Sequence, residues 1–222
     1  MADHRHLARR GAWLWAATAA LQACQLPPVA EPPAVEDMPA EEAPSGWRAV
    51  ALAEDRDRLD RLPETWAAAR AAAARAGYAR RLAAEGELLD PDAALPRPEP
   101  SPGPYRCRIV RLRAAARRPF TAFPPFFCHI VDEGAQLSLT KEAGGERPGG
   151  YLWPDGERRL VFLGAFARGR ERLPPAYGDD PDRNLAAVLE RIGIFRWRLV
   201  IPLPAEPDAL DVLELIPAVP PD

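Results

Sequence analysis

From Tyr105 to Pro217 the chain repeatedly breaks short apolar stretches with glycine, proline and acidic residues at turn spacing, and this pattern most restricts what it can fold into. Strand side chains alternate between two faces, and turn residues set between alternating runs make neighbouring strands antiparallel hairpins. The runs "YRCRIVRLR" (105–113), "FFCHIV" (126–131), "AQLSLTK" (135–141), "GGYLW" (149–153), "ERRLVFLGAF" (157–166), "FRWRLVIPLP" (195–204) and "LDVLELIP" (210–217) read as strands. Pro154-Asp155-Gly156 supplies turn torsions between the fourth and fifth. Between the later hairpins, "DRNLAAVLERIG" reads as a short helix closed by Gly193. The expectation is an antiparallel meander of about seven strands with one short helix, as a small barrel or a curled sheet.

Within "YRCRIVRLR" the apolar positions change parity, from Tyr105, Cys107 and Ile109 to Val110 and Leu112. This swap predicts a bulge or bend in that strand. In "FRWRLVIPLP" the alternation places Trp197, Leu199 and Ile201 on the core face.

Upstream, residues 47–90 are rich in alanine and arginine, with Pro63 placed as in the first turn of a helix. They read as a helical hairpin, about 48–61 and 64–85, with Trp66, Ala69, Ala73 and Ala76 along one face. Two proline-rich stretches flank it: an acidic tether over 24–46 and a linker over 91–104. The tether carries almost nothing to bury, and as polyproline II it would extend about 3.1 Å per residue. The fold class is therefore α+β, a helical hairpin followed by an antiparallel β domain over 105–222.

Residues 1–23 have the form of an export signal: Arg5, Arg9 and Arg10 precede an apolar run of about 12 residues. A membrane-spanning helix needs roughly 20. The segment ends Leu21-Gln22-Ala23-Cys24, which resembles a bacterial lipobox and makes Cys24 the lipid acceptor. Cleavage at Ala17-Thr18-Ala19 is the competing reading. The expected address is the cell envelope, with the lipid on Cys24 in the membrane. Gln25 is not the aspartate that retains such proteins at the inner membrane, so the outer membrane is favoured.

Export leaves Cys107 and Cys128 as one even pair where disulfides persist, and a bridge is expected. Closing a loop of about 20 residues stabilises by roughly 3 kcal/mol on the chain-entropy estimate. Metal binding by Cys107, Cys128 and His129 lacks a fourth ligand at recognisable spacing, so no metal or other cofactor is expected. Net charge is −3, and the loss of Arg5, Arg9, Arg10 and Asp3 with the signal makes the rest more acidic. Nucleic acid, which calls for a clustered basic face, is not an expected partner.

Catalytic chemistry is limited by subtraction. His129 is the sole histidine after the signal, and Ser45, Ser101 and Ser138 lie in linkers or a strand, which leaves no serine–histidine triad to assign. Walker and dinucleotide-binding glycine motifs are missing. Asp179, Asp180, Asp182, Glu190, Asp211 and Glu214 include candidates for paired-carboxylate glycan hydrolysis, and sequence does not rank them. The concentrated set is cationic: Lys141, Arg147, Arg183, Arg191, Arg196 and Arg198, with Tyr177 nearby. Lys141, Arg147, Arg183, Arg196, Arg198 and Tyr177 are the candidate ligand-binding residues for an anionic small molecule, should they converge at one barrel mouth. The alternative is pairing with acids across the outer face. Trp153 and Trp197 could also offer an aromatic platform for a sugar.

The ordered set "YRCR", "FFCHI", Lys141 with Gly144, Arg147 and Gly149, "RLVFLGA", "ERIG", "RWRLVIPLP" and "LDVLELIP" resembles the bacterial envelope family called domain of unknown function 4893. Trp47, Asp55, Arg58, Leu59 and Trp66 extend the resemblance into the helical part. The chain departs from that pattern at Gly145-Glu146-Arg147, where a Ser-Gln-Arg triplet is expected, and at Asn184 and Ala187, where Asp and Gly are expected. The resemblance implies architecture and no activity. The leading expectation is a non-enzymatic lipoprotein acting as a binding or envelope-structural module, whose partner is an anionic small ligand or an envelope protein. The alternatives are a cell-wall glycan hydrolase and a peptidase-inhibitor-like barrel presenting "RERLPPAYGDD" (170–180).

Overall fold

The computed structural model describes residues 45–218. The signal segment, Cys24, the tether up to residue 44 and residues 219–222 lie outside the described residues.

The helical part forms short pieces: α1 (Trp47–Val50), α2 (Ala53–Asp60), α3 (Leu62–Ala73) and α4 (Ala79–Ala84), then a 3-10 turn at Gly86–Leu88. Pro63 sits in the first turn of α3, where its missing N–H costs no helix bond. Leu62, Trp66, Ala69 and Ala73 form the buried face of α3. The expected continuous helix across 64–85 is broken by a wide π-type turn, Ala74–Tyr78, in which Gly77 takes φ 88°. That turn leaves Ala76 exposed.

Nine strands follow among the described residues: β1 (Gly103–Arg113), β2 (Phe120–Ala122), β3 (Phe126–Asp132), β4 (Leu137–Lys141), β5 (Glu146–Pro154), β6 (Arg159–Arg168), β7 (Asn184–Gly193), β8 (Arg196–Pro202) and β9 (Ala209–Pro217). Each strand from β3 to β9 pairs antiparallel with the next, and β1 closes the barrel against β9 from Tyr105↔Pro217 to Arg113↔Ala209. The other edge of β1 is shared, with β3 along Gly103–Cys107 and β2 along Val110–Leu112. Between those partners runs Phe123-Pro124-Pro125, whose prolines have no N–H to donate to a ladder. Eight strands thus make a closed antiparallel barrel, with β2 as an extra strand. The disulfide Cys107–Cys128 joins β1 to β3 inside it, with Cα atoms 6.0 Å apart.

Two apolar layers result. Tyr105, Phe162, Leu189, Leu199 and Leu213 belong to the barrel interior. Val110, Leu112, Val188, Val200 and Val212 point outward and are covered by Trp66, Ala69 and Leu59 of the helices. Covering the outer face corrects two expectations. Residues 184–193 are strand β7, not a helix, because Leu185, Ala187 and Leu189 fill the barrel while Ala186 and Val188 lie under the helices. Burial on both faces erased the alternation that marks a half-buried strand. For the same reason the parity change in β1 is no bulge: its register with β9 is unbroken, and Val110 and Leu112 are apolar because helices cover them. The irregularity falls instead between β7 and β8, at Arg191/Gly193.

Candidate functional site

The two ends of the barrel differ. At one end the 91–104 linker folds over the opening. Trp197 Nε1 donates to Pro98 O at 2.9 Å, and Tyr105 Oη donates to Ser101 O at 2.7 Å. The two rings meet edge to face, with centroids 6.0 Å apart. Burial pushes the Tyr105 phenol up to about 12 against the opposing effect of its bond to Ser101. Arg191 adds bonds to the carbonyls of Pro96 and Arg97, and Leu95 pairs with Arg191 as an isolated bridge. This end is sealed.

At the other end β1, β3, β4, β5, β6, β8 and β9 open into a cavity of about 350 Å³. Its walls are apolar, with Ile109, Phe126, Phe166, Ile201 and Leu213 projecting from five strands and Phe123 from the rim. Four charged residues interrupt them: Arg111, Asp211, Lys141 and the exposed Glu146. Arg111 and Asp211 lock in a two-point pair, Nε to Oδ1 and Nη2 to Oδ2, each 2.5 Å. The pair holds the guanidinium pKa above its ordinary value despite burial. Lys141 also lines the cavity, its Nζ 4.5 Å from the Phe126 ring centroid and donating to Glu146 O at 3.1 Å. Burial lowers its pKa, against the attraction of Asp211 and Glu146 and with the repulsion of Arg111 and Arg147. Lys141 forms no salt bridge among the described residues. An apolar pocket of this size with a few convergent polar groups has the general form of a small-ligand site.

Of the six residues singled out by sequence, Lys141 alone lines this cavity. Arg147 ties rim loops together through the carbonyls of Gly144 (2.7 Å) and Gly169 (3.0 Å). Arg183 pairs with Asp180 and Glu171. Arg196 belongs to an outer-face network with Glu214, Glu87 and Arg108. Arg198 is completely buried: Nε donates to Glu190, Nη1 to the carbonyls of Glu87, Leu88 and Asp90, and Nη2 to that of Pro91. Its guanidinium carbon lies 4.7 Å from the Trp66 ring centroid. Tyr177 donates to Asp55 Oδ2 at 2.5 Å and accepts from Leu52 N at 3.0 Å, so it fastens the 170–183 loop to the helices. Burial, and then the Asp55 bond, raise its phenol pKa. The six do not converge, and most are spent on holding loops and helices to the barrel.

Arg111, with its partner Asp211, stands at the mouth where the other cations were expected. The sequence did mark them, since Arg111 shares the parity of Tyr105, Cys107 and Ile109, and Asp211 that of Leu213 and Leu215.

The other candidate chemistries are dispersed. Glu190 pairs with Arg198 and Glu214 with Arg108 and Arg196, while Asp211 has both oxygens on Arg111. His129 Nδ1 lies 2.8 Å from Glu142, and Ser138 donates to Glu133 at 3.0 Å. Trp197 is buried in the barrel rather than presented as a platform. In the 170–180 loop Leu173 is exposed, but Pro174 rests against Gly149 and Tyr177 is anchored. Among the described residues no group of three or more His, Cys, Asp or Glu could hold a metal ion.

A family model described as "Domain of unknown function (DUF4893)" matches residues 47–215, the helical part together with nearly all of the barrel. No curated protein and no solved structure matches the chain.

Proposed function

The chain belongs to the DUF4893 family, and from that premise we propose that it is a non-enzymatic binding module of the bacterial cell envelope, taking a small amphiphile with an anionic head into the open barrel mouth. The observation that carries this reading is the cavity itself. An apolar pocket of about 350 Å³ is lined by two cations, Arg111 and Lys141, and two carboxylates, Asp211 and Glu146, and of the two cations Lys141 alone forms no salt bridge among the described residues. Arg111 is already matched by Asp211, so an anionic head finds its partner in Lys141 while apolar surface meets Phe126, Phe166 and Leu213. Burial has stripped some of the water from Lys141, which strengthens any ion pair formed there.

The envelope location rests on the signal segment and lipobox, with lipid on Cys24 and the tether as the spacer. Glycan hydrolysis by paired carboxylates is less favoured: of the two carboxylates that line the cavity, Asp211 is held by Arg111 through both oxygens, which leaves Glu146 without a free second one.

Equilibrium binding of decanoate, followed by calorimetry on the folded protein, tests the reading. Ile201→Trp, which fills the mouth, should abolish binding with the fold retained, and Lys141→Met should weaken decanoate while sparing decanol. Decanoate binding unchanged in Ile201→Trp would rule the cavity out.

A further inference from the structure

The barrel mouth does not end at its apolar wall. Arg111 and Phe123, which line the cavity, also line an adjoining notch of about 550 Å³ under the hairpin between β1 and β2. The rest of that notch is Arg113, Ala116, Arg117, Arg118 and Thr121. The Arg111 guanidinium carbon lies 5.3 Å from the Phe123 ring centroid, so aromatic wall and cationic notch share one boundary.

The charges in the notch are poorly matched. Arg113 has one ion pair, Nη2 to Glu206 at 3.0 Å, and its buried Nε has no hydrogen-bond partner. Arg117 and Arg118 form neither a side-chain hydrogen bond nor a salt bridge among the described residues, and both are exposed. Adjacent guanidinium groups repel one another, and grouping them beside an apolar cavity costs stability unless an anion bridges them.

We infer that the occupant of the mouth is a phosphomonoester of an apolar chain, with its chain in the cavity and its phosphate in the notch against Arg113, Arg117 and Arg118. This rests on the cavity reading above for the apolar chain, and places the head of this ligand class in the notch and not at Lys141. A carboxylate head offers two oxygens and one charge, which Lys141 alone can meet. A phosphomonoester offers three terminal oxygens and a charge near −2 above its second pKa of about 6, which suits several planar guanidinium forks. The second source of this chemistry, phosphatidate in a bilayer, would meet the same arginines without filling the cavity.

The experiment compares decyl phosphate, decanoate, decanol and inorganic phosphate by calorimetry, each below its micelle concentration, with the wild type and with Arg117→Ser/Arg118→Ser. Both arginines are exposed in a turn, so the double variant keeps the fold. Decyl phosphate should bind at least about ten-fold more tightly than decanoate. The double variant should lose most of that difference, leave decanoate unchanged and reduce the dependence of decyl phosphate affinity on salt. Equal affinity for decyl phosphate and decanoate, or equal loss of both in the double variant, would overturn the phosphate assignment and leave the cavity reading standing. Failure of every chain-bearing probe would overturn both. Phosphatidate vesicles that bind Ile201→Trp as well as the wild type, with monomeric decyl phosphate not binding, would overturn the inference in favour of a membrane surface.

Discussion

Arg111 and Asp211 face each other across the seam where β1 and β9 close the barrel, joined at two points inside its open end. The pair does two jobs. It fastens the first strand to the last at the mouth, where no linker covers the opening, and it removes a carboxylate from competition for Lys141. Asp211→Asn should therefore destabilise the protein by about 1–3 kcal/mol in urea unfolding, because a partly buried guanidinium loses its charge partner. Arg111→Leu/Asp211→Leu should cost less than the two single changes added together, and a strictly additive cycle would show that the pair is not coupled.

Arg198 joins the barrel to the segment that follows the helices, through four carbonyl oxygens, Glu190 and the face of Trp66. Lysine cannot reproduce that planar fork. Arg198→Lys should lower the unfolding free energy by about 2–4 kcal/mol, since carbonyls and a carboxylate arranged around the guanidinium lose donors. Proteolysis between residues 86 and 100 should rise with it.

Gly150 and Gly164 are direct partners in the β5–β6 ladder, and a Cβ on Gly150 would lie 2.4 Å from Gly164 Cα. The backbones pass there with no room for a side chain. Gly150→Ala should cost about 1–3 kcal/mol as an overpacking change, measurable as a lower melting temperature. Gly145→Ala, where nothing lies within 4 Å, is the matched control and should change little.

Lys141 shares its surroundings with Arg111 on β1, Asp211 on β9 and Glu146 and Arg147 on β5, and burial leaves its folded pKa below 10.5. Folding therefore releases its proton more easily than the unfolded chain does. Stability gained from this group is complete above 10.5 and is lost as pH falls through the lowered folded value. Relative to Lys141→Met, the wild type should gain stability as pH climbs toward 10.5, and its decanoate affinity should fall across the same window. A flat difference between the two proteins over that range would contradict the burial of the amine.

How far the architecture could be read from residues depended on which faces were covered. Strand β3, with one face toward the barrel and the other more exposed, kept its alternation and was legible, and β4 was legible because small polar residues, Ser138 and Thr140, alternate with its leucines. Strand β7 was not, because helices bury its outer side as completely as the barrel buries its inner side. Strand β2 has only three residues, too few to show a period. Of the candidate site, Lys141 was legible from composition as the sole lysine. Arg111 shares the inward parity of Tyr105, Cys107 and Ile109, but the parity change in β1 obscured it until the helices are seen to lie over Val110 and Leu112, while Asp211 stood among several carboxylates that sequence did not rank. Arg196 and Arg198 were misleading for the opposite reason: their density in sequence reflects pairing with Glu214, Glu190 and linker carbonyls.

Because Lys141 is the sole lysine of the chain and lines the cavity, its reactivity reports occupancy of the barrel mouth directly. The decisive measurement is the rate of acylation at Lys141 by an amine-reactive ester, located by peptide mass, with increasing decanoate. The rate should fall in proportion to occupancy, and Ile201→Trp should remove the protection. A rate unaffected by decanoate at concentrations where calorimetry shows binding would mean that the ligand sits elsewhere, and the barrel mouth would not be the site.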